Sequence, residues 1–291
     1  MPICPSCRAA EVGFDGPRCD NCGWRTAHLD GIPDFLSDSD RDGGVFAEYT
    51  ALYERIAGDD LDAPIQTDPL LDLEARRLLE ALGPVAGAAV CDVGIGRGFL
   101  FDRLRAERPR LLVGVDLAWP YLRRVDAGDA SVRVLRANAE NLPFREELDA
   151  IVASDVLEHV LNPADFLHSA LEALVPGGRL LLKVPYRENI SQYRRADGCP
   201  YPMVHLRTFD RSLLRQAIED AGLRAERFTY SGFYLDRWHP AIARLPVVPG
   251  VLKSRLKQRY GDDPGTNRMN PRLARLVIRP VVITALARKP A

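Results

Sequence analysis

The chain has 291 residues, of which 46% are hydrophobic and 27% charged, and a formal net charge of −1. That length accommodates one large α/β domain with a small appendage, or two modest domains, and the composition is that of an ordinary soluble globular protein. Near-neutrality removes any global electrostatic argument for nucleic acid or membrane. No apolar run approaches a membrane span, and the start MPICPSC lacks the basic and apolar regions of a secretory signal, so a cytoplasmic, reducing setting is expected.

The first element is a cysteine pattern. Cys4-x2-Cys7 and Cys19-x2-Cys22 are separated by eleven residues. In a reducing compartment this spacing reads as a closed tetrahedral zinc site rather than as disulfides. Each CxxC forms a knuckle with both thiolates on one side, and Val12, Gly13 and Phe14 suit the hairpin that makes the knuckles face each other. Four thiolates leave no open position, so the zinc is expected to be structural and to supply the ribbon's folding free energy. The stretch CDNCGWRTAHLDGIPDFL (19–36) resembles the short zinc ribbons, ending in Gly-Ile-Pro, that are fused to or partner methyltransferases. The same pattern opens a family of bacterial ribosomal-RNA guanine methyltransferases.

After the ribbon (1–36), SDSDRDGG (37–44) is acidic and aperiodic and reads as a flexible join. VFAEYTALYERIAG then spaces Phe46, Tyr49, Leu52, Tyr53 and Ile56 at helical intervals, a helix placed to lid a following domain or simply to pack on it. From residue 68 onward helix and strand alternate. Asp68 and Pro69 open a helix that Gly83-Pro84 ends; Ala88–Val93 is a strand, 99–104 a helix, and RLLVGVD (110–116) a second strand ending in an acid. Further strands are expected from 132 up to Asn138, from 148 to an end at Ser154-Asp155, after Pro176-Gly177-Gly178, at RAERFTYSGF and at VVITALARKP. This order predicts an α/β fold with a doubly wound, mostly parallel seven-stranded sheet over 68–291, interrupted by an insertion at about 236–279.

The loop between the first strand and its helix reads CDVGIGRGFL. A dinucleotide fingerprint would need glycine at 99, where this chain has Phe99. The pattern is instead Asp92-x-Gly94-x-Gly96-x-Gly98. S-adenosylmethionine has no phosphate but carries a sulfonium, an ammonium and a carboxylate, so an acid beside the loop suits it. With NAENLPF (138–144), SDVLEHV (154–160) and LVPGGRLLLKVP (174–185) in register, residues 70–235 resemble class I S-adenosylmethionine-dependent methyltransferases, close to the ubiquinone/menaquinone-biosynthesis type. The resemblance implies that Gly94, Gly96 and Gly98 pass under the cofactor with Asp92 near its ammonium. It further implies that Asp116 binds the ribose, Leu117 flanks the adenine, Asn138 and Ala139 meet the adenine edge, and Asp155 lies beside the methionine moiety. The family often has Asp where this chain has Asn138; Asn keeps a carbonyl acceptor without the charge.

Methyl transfer needs an aligned acceptor, exclusion of water and, for a hydroxyl, removal of a proton. Amino-group methyltransferases usually carry Asn-Pro-Pro-Tyr after the fourth strand; Ser154-Asp155-Val156-Leu157 stands there instead, leaving oxygen, carbon or ring nitrogen as acceptor atoms. His159 and His205 are the candidate bases. His205 is preferred because it follows the Tyr-, Arg- and Pro-rich segment 186–203, where this family commonly builds its acceptor pocket. His159 has a plainer reading as a helix-entry histidine bonding the backbone.

The main expectation is O-methylation of a small-molecule, glycan or lipid-linked acceptor. The alternative is an RNA methyltransferase that uses the ribbon to recognise its substrate, suggested by the ribbon and by a basic C-terminal part in which only Asp262 and Asp263 offset the Lys and Arg. The same part admits a pocket cover, an oligomer contact or a membrane-surface helix. A non-catalytic binding module is the remaining class, and the complete cofactor motifs speak against it.

Overall fold

The computed structural model describes residues 1–64, 66–126, 128–193, 199–201, 204–238 and 278–291. Two short strands close the ribbon, β1 (Ala27–Leu29) and β2 (Ile32–Asp34). The helices α1 (Asp38–Arg41), α2 (Val45–Asp62) and α3 (Asp68–Leu82) follow. The domain proper alternates β3 (Ala89–Val93), α4 (Phe99–Ala106), β4 (Leu111–Asp116), α5 (Trp119–Leu122), β5 (Val132–Arg136) and β6 (Leu148–Ser154). It continues with α6 (Pro163–Ala173), β7 (Leu174–Pro185), α7 (Arg211–Asp220), β8 (Arg224–Trp238) and β9 (Ile278–Arg288).

The sheet order is β1-β2-β5-β4-β3-β6-β7-β9-β8. Strands β2 through β7 pair in parallel, while β9 runs antiparallel to both β7 and β8. The expected seven-stranded, mostly parallel, doubly wound sheet is therefore present from β5 to β8, and the ribbon adds two strands at its edge. β3 is buried along its whole length, as a strand covered by helices on both faces must be. Alternation along the strands sorts the core into two layers. Cys91, Val93, Val113, Val115, Ile151 and Ala153 face α6 and α7, and Val90, Leu112, Val134, Ala150 and Val152 face α3 and α4. Gly114 on β4 is required by close approach, because a Cβ there would stand 2.7 Å from the Phe101 ring of α4.

Three local expectations change. The N-cap position of α3 falls at Thr67, without a side-chain capping bond, and Asp68, the first helical residue, pairs with Arg97. Residues 37–44 contain a capped helical turn, with Ser37 and Asp40 in a reciprocal capping box. The ribbon also shares the main core: Cys4, Cys19, Trp24 and Phe35 pack in the same layer as Phe144 and Leu135. Ile3 N–H donates to Pro143 O at 2.8 Å, and Phe35 N–H to Arg136 O at 2.7 Å. A ribbon too small for its own core thus buries its apolar side against the domain. The readings attached to the insertion lie outside the described residues apart from the insertion's ends.

Candidate active site

The three loop glycines all have positive φ, +75° at Gly94, +50° at Gly96 and +86° at Gly98, values that side-chain-bearing residues rarely adopt. Gly94 is doubly constrained, because a Cβ would also stand 2.5 Å from Val156 Cγ2; at Gly96 nothing lies nearer than 4.0 Å. The loop is pinned to β4. Gly94 N–H donates to Val115 O at 2.7 Å, and the two oxygens of Asp116 accept Gly96 N–H at 3.0 Å and Ala118 N–H at 2.9 Å. Asp116 is thus the loop's anchor. Burial raises its carboxyl pKa, while the Ala118 and Gly96 amides pull against that rise.

Above the loop opens a cavity of about 350 Å³. Asp92, Gly94, Gly96, Gly98, Asp116, Leu117, Asn138, Ala139 and Asp155, the residues expected around a cofactor, all line it. They converge because the carboxyl ends of β3, β4 and β6, and the turn after β5, meet at the switch point of the sheet. Asp92 is buried, and its Oδ2 has no hydrogen-bond partner among the described residues. Burial first, and then the Asp116 charge, hold its carboxyl well above the usual range. A buried acid with an orphaned oxygen is costly unless a cation or donor meets it. A ligand bearing an ammonium and a sulfonium would relieve that cost, so the residues fit S-adenosylmethionine. Asp155 sits at φ +56° and is held by Lys183 at 2.6 Å, whose ammonium also meets Glu74 at 2.7 Å. Burial opposes the Lys183 charge, but Asp155 and Glu74 together raise its pKa.

The opposite wall is built from side chains. Tyr49 and Tyr53 project from α2 with ring centroids 4.5 Å apart, and Tyr53 Oη lies 2.8 Å from His159 Nδ1. His159 Nδ1 is 2.6 Å from Val204 O. A carbonyl only accepts, so Nδ1 carries the proton and Nε2 keeps its lone pair. Burial, followed by neighbouring His205, pulls the His159 pKa down to about 4, which keeps the ring neutral. The helix-entry reading of His159 is thus half of the picture: it does bond the backbone, and it also lines the cavity.

His205 stands beside His159 with ring centroids 4.6 Å apart, and His159 is the one of the two that lines the cavity. His205 Nδ1 is hydrogen-bonded to Glu188, whose other oxygen accepts from Tyr193 Oη at 2.7 Å. Burial opposes it, yet these bonds bring the Glu188 carboxyl below its ordinary range. Below the histidines lies Glu158, 1% exposed, with neither carboxylate oxygen partnered among the described residues. Burial and then Asp155 hold it well above the carboxylate range. Glu158, His159 and His205 bring donor atoms within 4.8 Å of one another, an arrangement able to take up a proton or a divalent cation.

Sequence reasoning missed Glu158, Lys183, Glu188 and Arg207. Arg207 ties the turn together by donating to Leu157 O at 3.1 Å, Leu161 O at 3.0 Å and Val160 O. No spacing rule links Glu188 to His205; the chain's path after β7 brings them together.

At the ribbon, the Cys4, Cys7, Cys19 and Cys22 sulfurs all lie within 4.8 Å of one another, with Cys4–Cys22 at 3.6 Å and Cys7–Cys19 at 3.7 Å. A tetrahedron with Zn–S bonds of ~2.3 Å has edges of ~3.8 Å, so the donor set fits zinc. The Ala9 amide above all brings Cys7 down to about 6, whereas burial pushes Cys4 up to about 12.

The family described as "Methyltransferase domain" matches residues 69–227. Among curated proteins, the tRNA U34 carboxymethyltransferase of Colwellia psychrerythraea is 32% identical over 124 residues, covering 41% of this chain and 38% of that protein. Its namesake from Edwardsiella ictaluri is 32% identical over 143 residues, covering 47% and 44%. The chain therefore spans less than half the length of these relatives. Among solved structures, a Haloferax volcanii complex containing the Trm112 methyltransferase activator aligns with a TM-score of 0.55 at 18% identity, over 84% of this chain and 98% of the other. An S-adenosylmethionine-dependent methyltransferase from Mesorhizobium loti aligns with a TM-score of 0.52 at 20% identity, over 75% and 100%. At these identities the structural likenesses establish the fold.

Proposed function

This chain belongs to the methyltransferase-domain family of class I S-adenosylmethionine-dependent enzymes, and on that premise we propose that it methylates an RNA acceptor. The observation that carries methyl transfer is the orphaned Asp92 oxygen beside the glycine loop, an acid in want of the cation that this cofactor brings. The RNA acceptor is supported by the relatives named for carboxymethyl transfer to U34 of tRNA, a likeness that spans the shared part of the chains alone.

When bound, S-adenosylmethionine supplies a methyl group already activated by the sulfonium. Asp92 and Asp155 would hold its cationic end, Asp116 its ribose, and Leu117, Asn138 and Ala139 its base. The acceptor lies against Tyr49, Tyr53 and His159, which exclude water. Its proton leaves to the histidines: His159 lines the cavity with its Nε2 lone pair free, and His205 beside it has its Nδ1–H held by Glu188. The zinc of the ribbon is structural and takes no part in the chemistry.

One observation favours a second reading, O-methylation of a small molecule: a proton-accepting cluster in a walled cavity is what a hydroxyl acceptor needs, whether or not RNA carries it. Tritium-labelled cofactor offered with tRNA, ribosomal RNA, phenols, sugars and lipids separates the two. Label in RNA is expected. Label confined to a small-molecule pool would replace the RNA reading, and absence of cofactor binding would overturn both.

A further inference from the structure

The turn that carries Asn138 rests on the first cysteine knuckle. Within that knuckle, Pro5 O accepts from Asn141 Nδ2 at 2.9 Å, and Arg8 just beyond it donates to Asn141 Oδ1 and, at 3.2 Å, to Leu142 O. Ser6, between Cys4 and Cys7, donates to the Asp38 carboxylate at 3.0 Å and accepts Asp38 N–H at 2.9 Å. Asp38 opens the helical turn that also holds Asp40, locked by Ser37 N–H at 2.9 Å. The free oxygen of Asp40 then accepts from Asn138 Nδ2 at 2.9 Å, while Asn138 Oδ1 accepts Glu140 N–H at 2.9 Å. Both ends of the Asn138 amide are thereby oriented. A carboxylate from the ribbon side stands where Asn138 itself has none.

A second brace runs parallel to the first. Asp34, at the end of β2, pairs with Arg136 at 3.5 Å and with Arg41 at 3.3 Å. Arg136 donates to Leu117 O at 2.8 Å and to Glu54 at 3.0 Å, and its guanidinium lies 4.9 Å from the centroid of the Trp119 ring. Leu117 and Asn138, two of the residues expected at the adenine, are both held from behind, Asn138 by Asp40 and Leu117 through Arg136 by Asp34.

We propose that Asp40 and Asp34 are positioning residues for the cofactor, and that metal held by Cys4, Cys7, Cys19 and Cys22 sets the affinity of the cavity for S-adenosylmethionine through them. The inference rests on the reading of the cavity as the cofactor site. Metal orders the knuckle, the knuckle orders the 138–141 turn, and the cofactor selects the ordered turn. By linkage, the cofactor must then also tighten metal binding.

The test is calorimetric titration of the full chain with S-adenosylmethionine, with zinc content measured on the same samples. Asp40→Ala should retain zinc and bind the cofactor about tenfold more weakly, the worth of one hydrogen bond to a charged group. It should raise the KM for cofactor and leave kcat at saturation unchanged, a split that general loss of stability does not produce. Cys22→Ser, at the most exposed of the four sulfurs, should lose zinc and weaken the cofactor similarly; the double variant should fall short of the product of the two effects, as residues on one path do. Zinc-free protein that binds the cofactor with unchanged affinity would overturn the proposal, as would an Asp40→Ala variant with unchanged affinity or a wild type without metal. If Cys22→Ser does not fold, Asp40→Ala and Asp34→Asn carry the test, since neither touches a metal ligand. Failure of wild type to bind cofactor would remove the cofactor reading, and this inference with it.

Discussion

The two walls of the cavity are made in different ways. The wall at the strand ends is mostly backbone: three glycines at positive φ, amides pinned by Val115 and Asp116, and the turn at Asn138. Its residues sit at the carboxyl ends of successive strands, and its shape is inherited from the sheet. The facing wall is mostly side chain, drawn from α2, from the turn after β6 and from the segment between β7 and α7, with Tyr53 and His159 106 residues apart. A wall of backbone should fail through geometry and take the cofactor with it. A wall of side chains should fail through chemistry and leave the cofactor bound.

The largest effect expected from that contrast is at Gly94. Gly94→Val forces a Cβ into Val156 at a positive φ, and each of these costs about 1–3 kcal/mol. Cofactor binding should be abolished and the melting temperature lowered. Gly96→Val meets only the φ penalty in the ligand-free protein, so its melting temperature should fall less, while titration should still show cofactor binding lost to the added bulk. Equal loss of stability in the two variants would break the account of the loop.

Next in size is His205→Ala, for which turnover should fall roughly 10²–10⁴-fold, the usual worth of general base catalysis, with cofactor affinity unchanged. Near-wild-type turnover would place the base elsewhere. Asp116→Ala is the mirror case. Weakening of the cofactor by ~1.5–3 kcal/mol is expected, with kcat at saturating cofactor retained. A fall in kcat alone would blur the division between the walls.

Smaller still is Glu188→Gln, which keeps a partner for His205 Nδ1 but not the charge. About a tenfold drop in turnover is expected, the scale of one charge-assisted hydrogen bond, with no change in cofactor titration. A drop as large as that of His205→Ala would make Glu188 more than an orienting group.

The last prediction concerns stability and pH. His159 is held neutral in the folded protein down to about 4, against an ordinary value of 6.5. Between those values the unfolded chain binds a proton that the folded chain refuses, so stability rises with pH across this window and is lost as pH falls through it. Asp92 and Glu158, raised by burial, act with the opposite sign, since their ionisation favours the unfolded chain as pH rises. Thermal melts of wild type and His159→Gln between pH 4 and 7 isolate the histidine. Wild type should gain stability relative to the variant as pH rises from about 4 to 6.5, and parallel curves would mean that the ring is not held neutral.

Legible in the sequence alone are the features that depend on residues near one another in the chain. Paired CxxC knuckles, the Asp92–Gly98 loop, the acid ending β4 and the order of strands are each a local pattern with a local cause: a chelate, a turn that needs glycine, a strand period of two. Asn138 shows where that kind of reading stops. Its identity is visible in the sequence, but the carboxylate that orients it comes from Asp40, 98 residues earlier. Glu188 beside His205, Lys183 between Glu74 and Asp155, and the burial of the ribbon against Phe144 are of the same kind. Each joins segments whose separation along the chain has no fixed relation to their separation in space. Packing in three dimensions makes these contacts, because burial removes water from polar groups and each must then find its partner among whatever side chains the packed layers bring within reach.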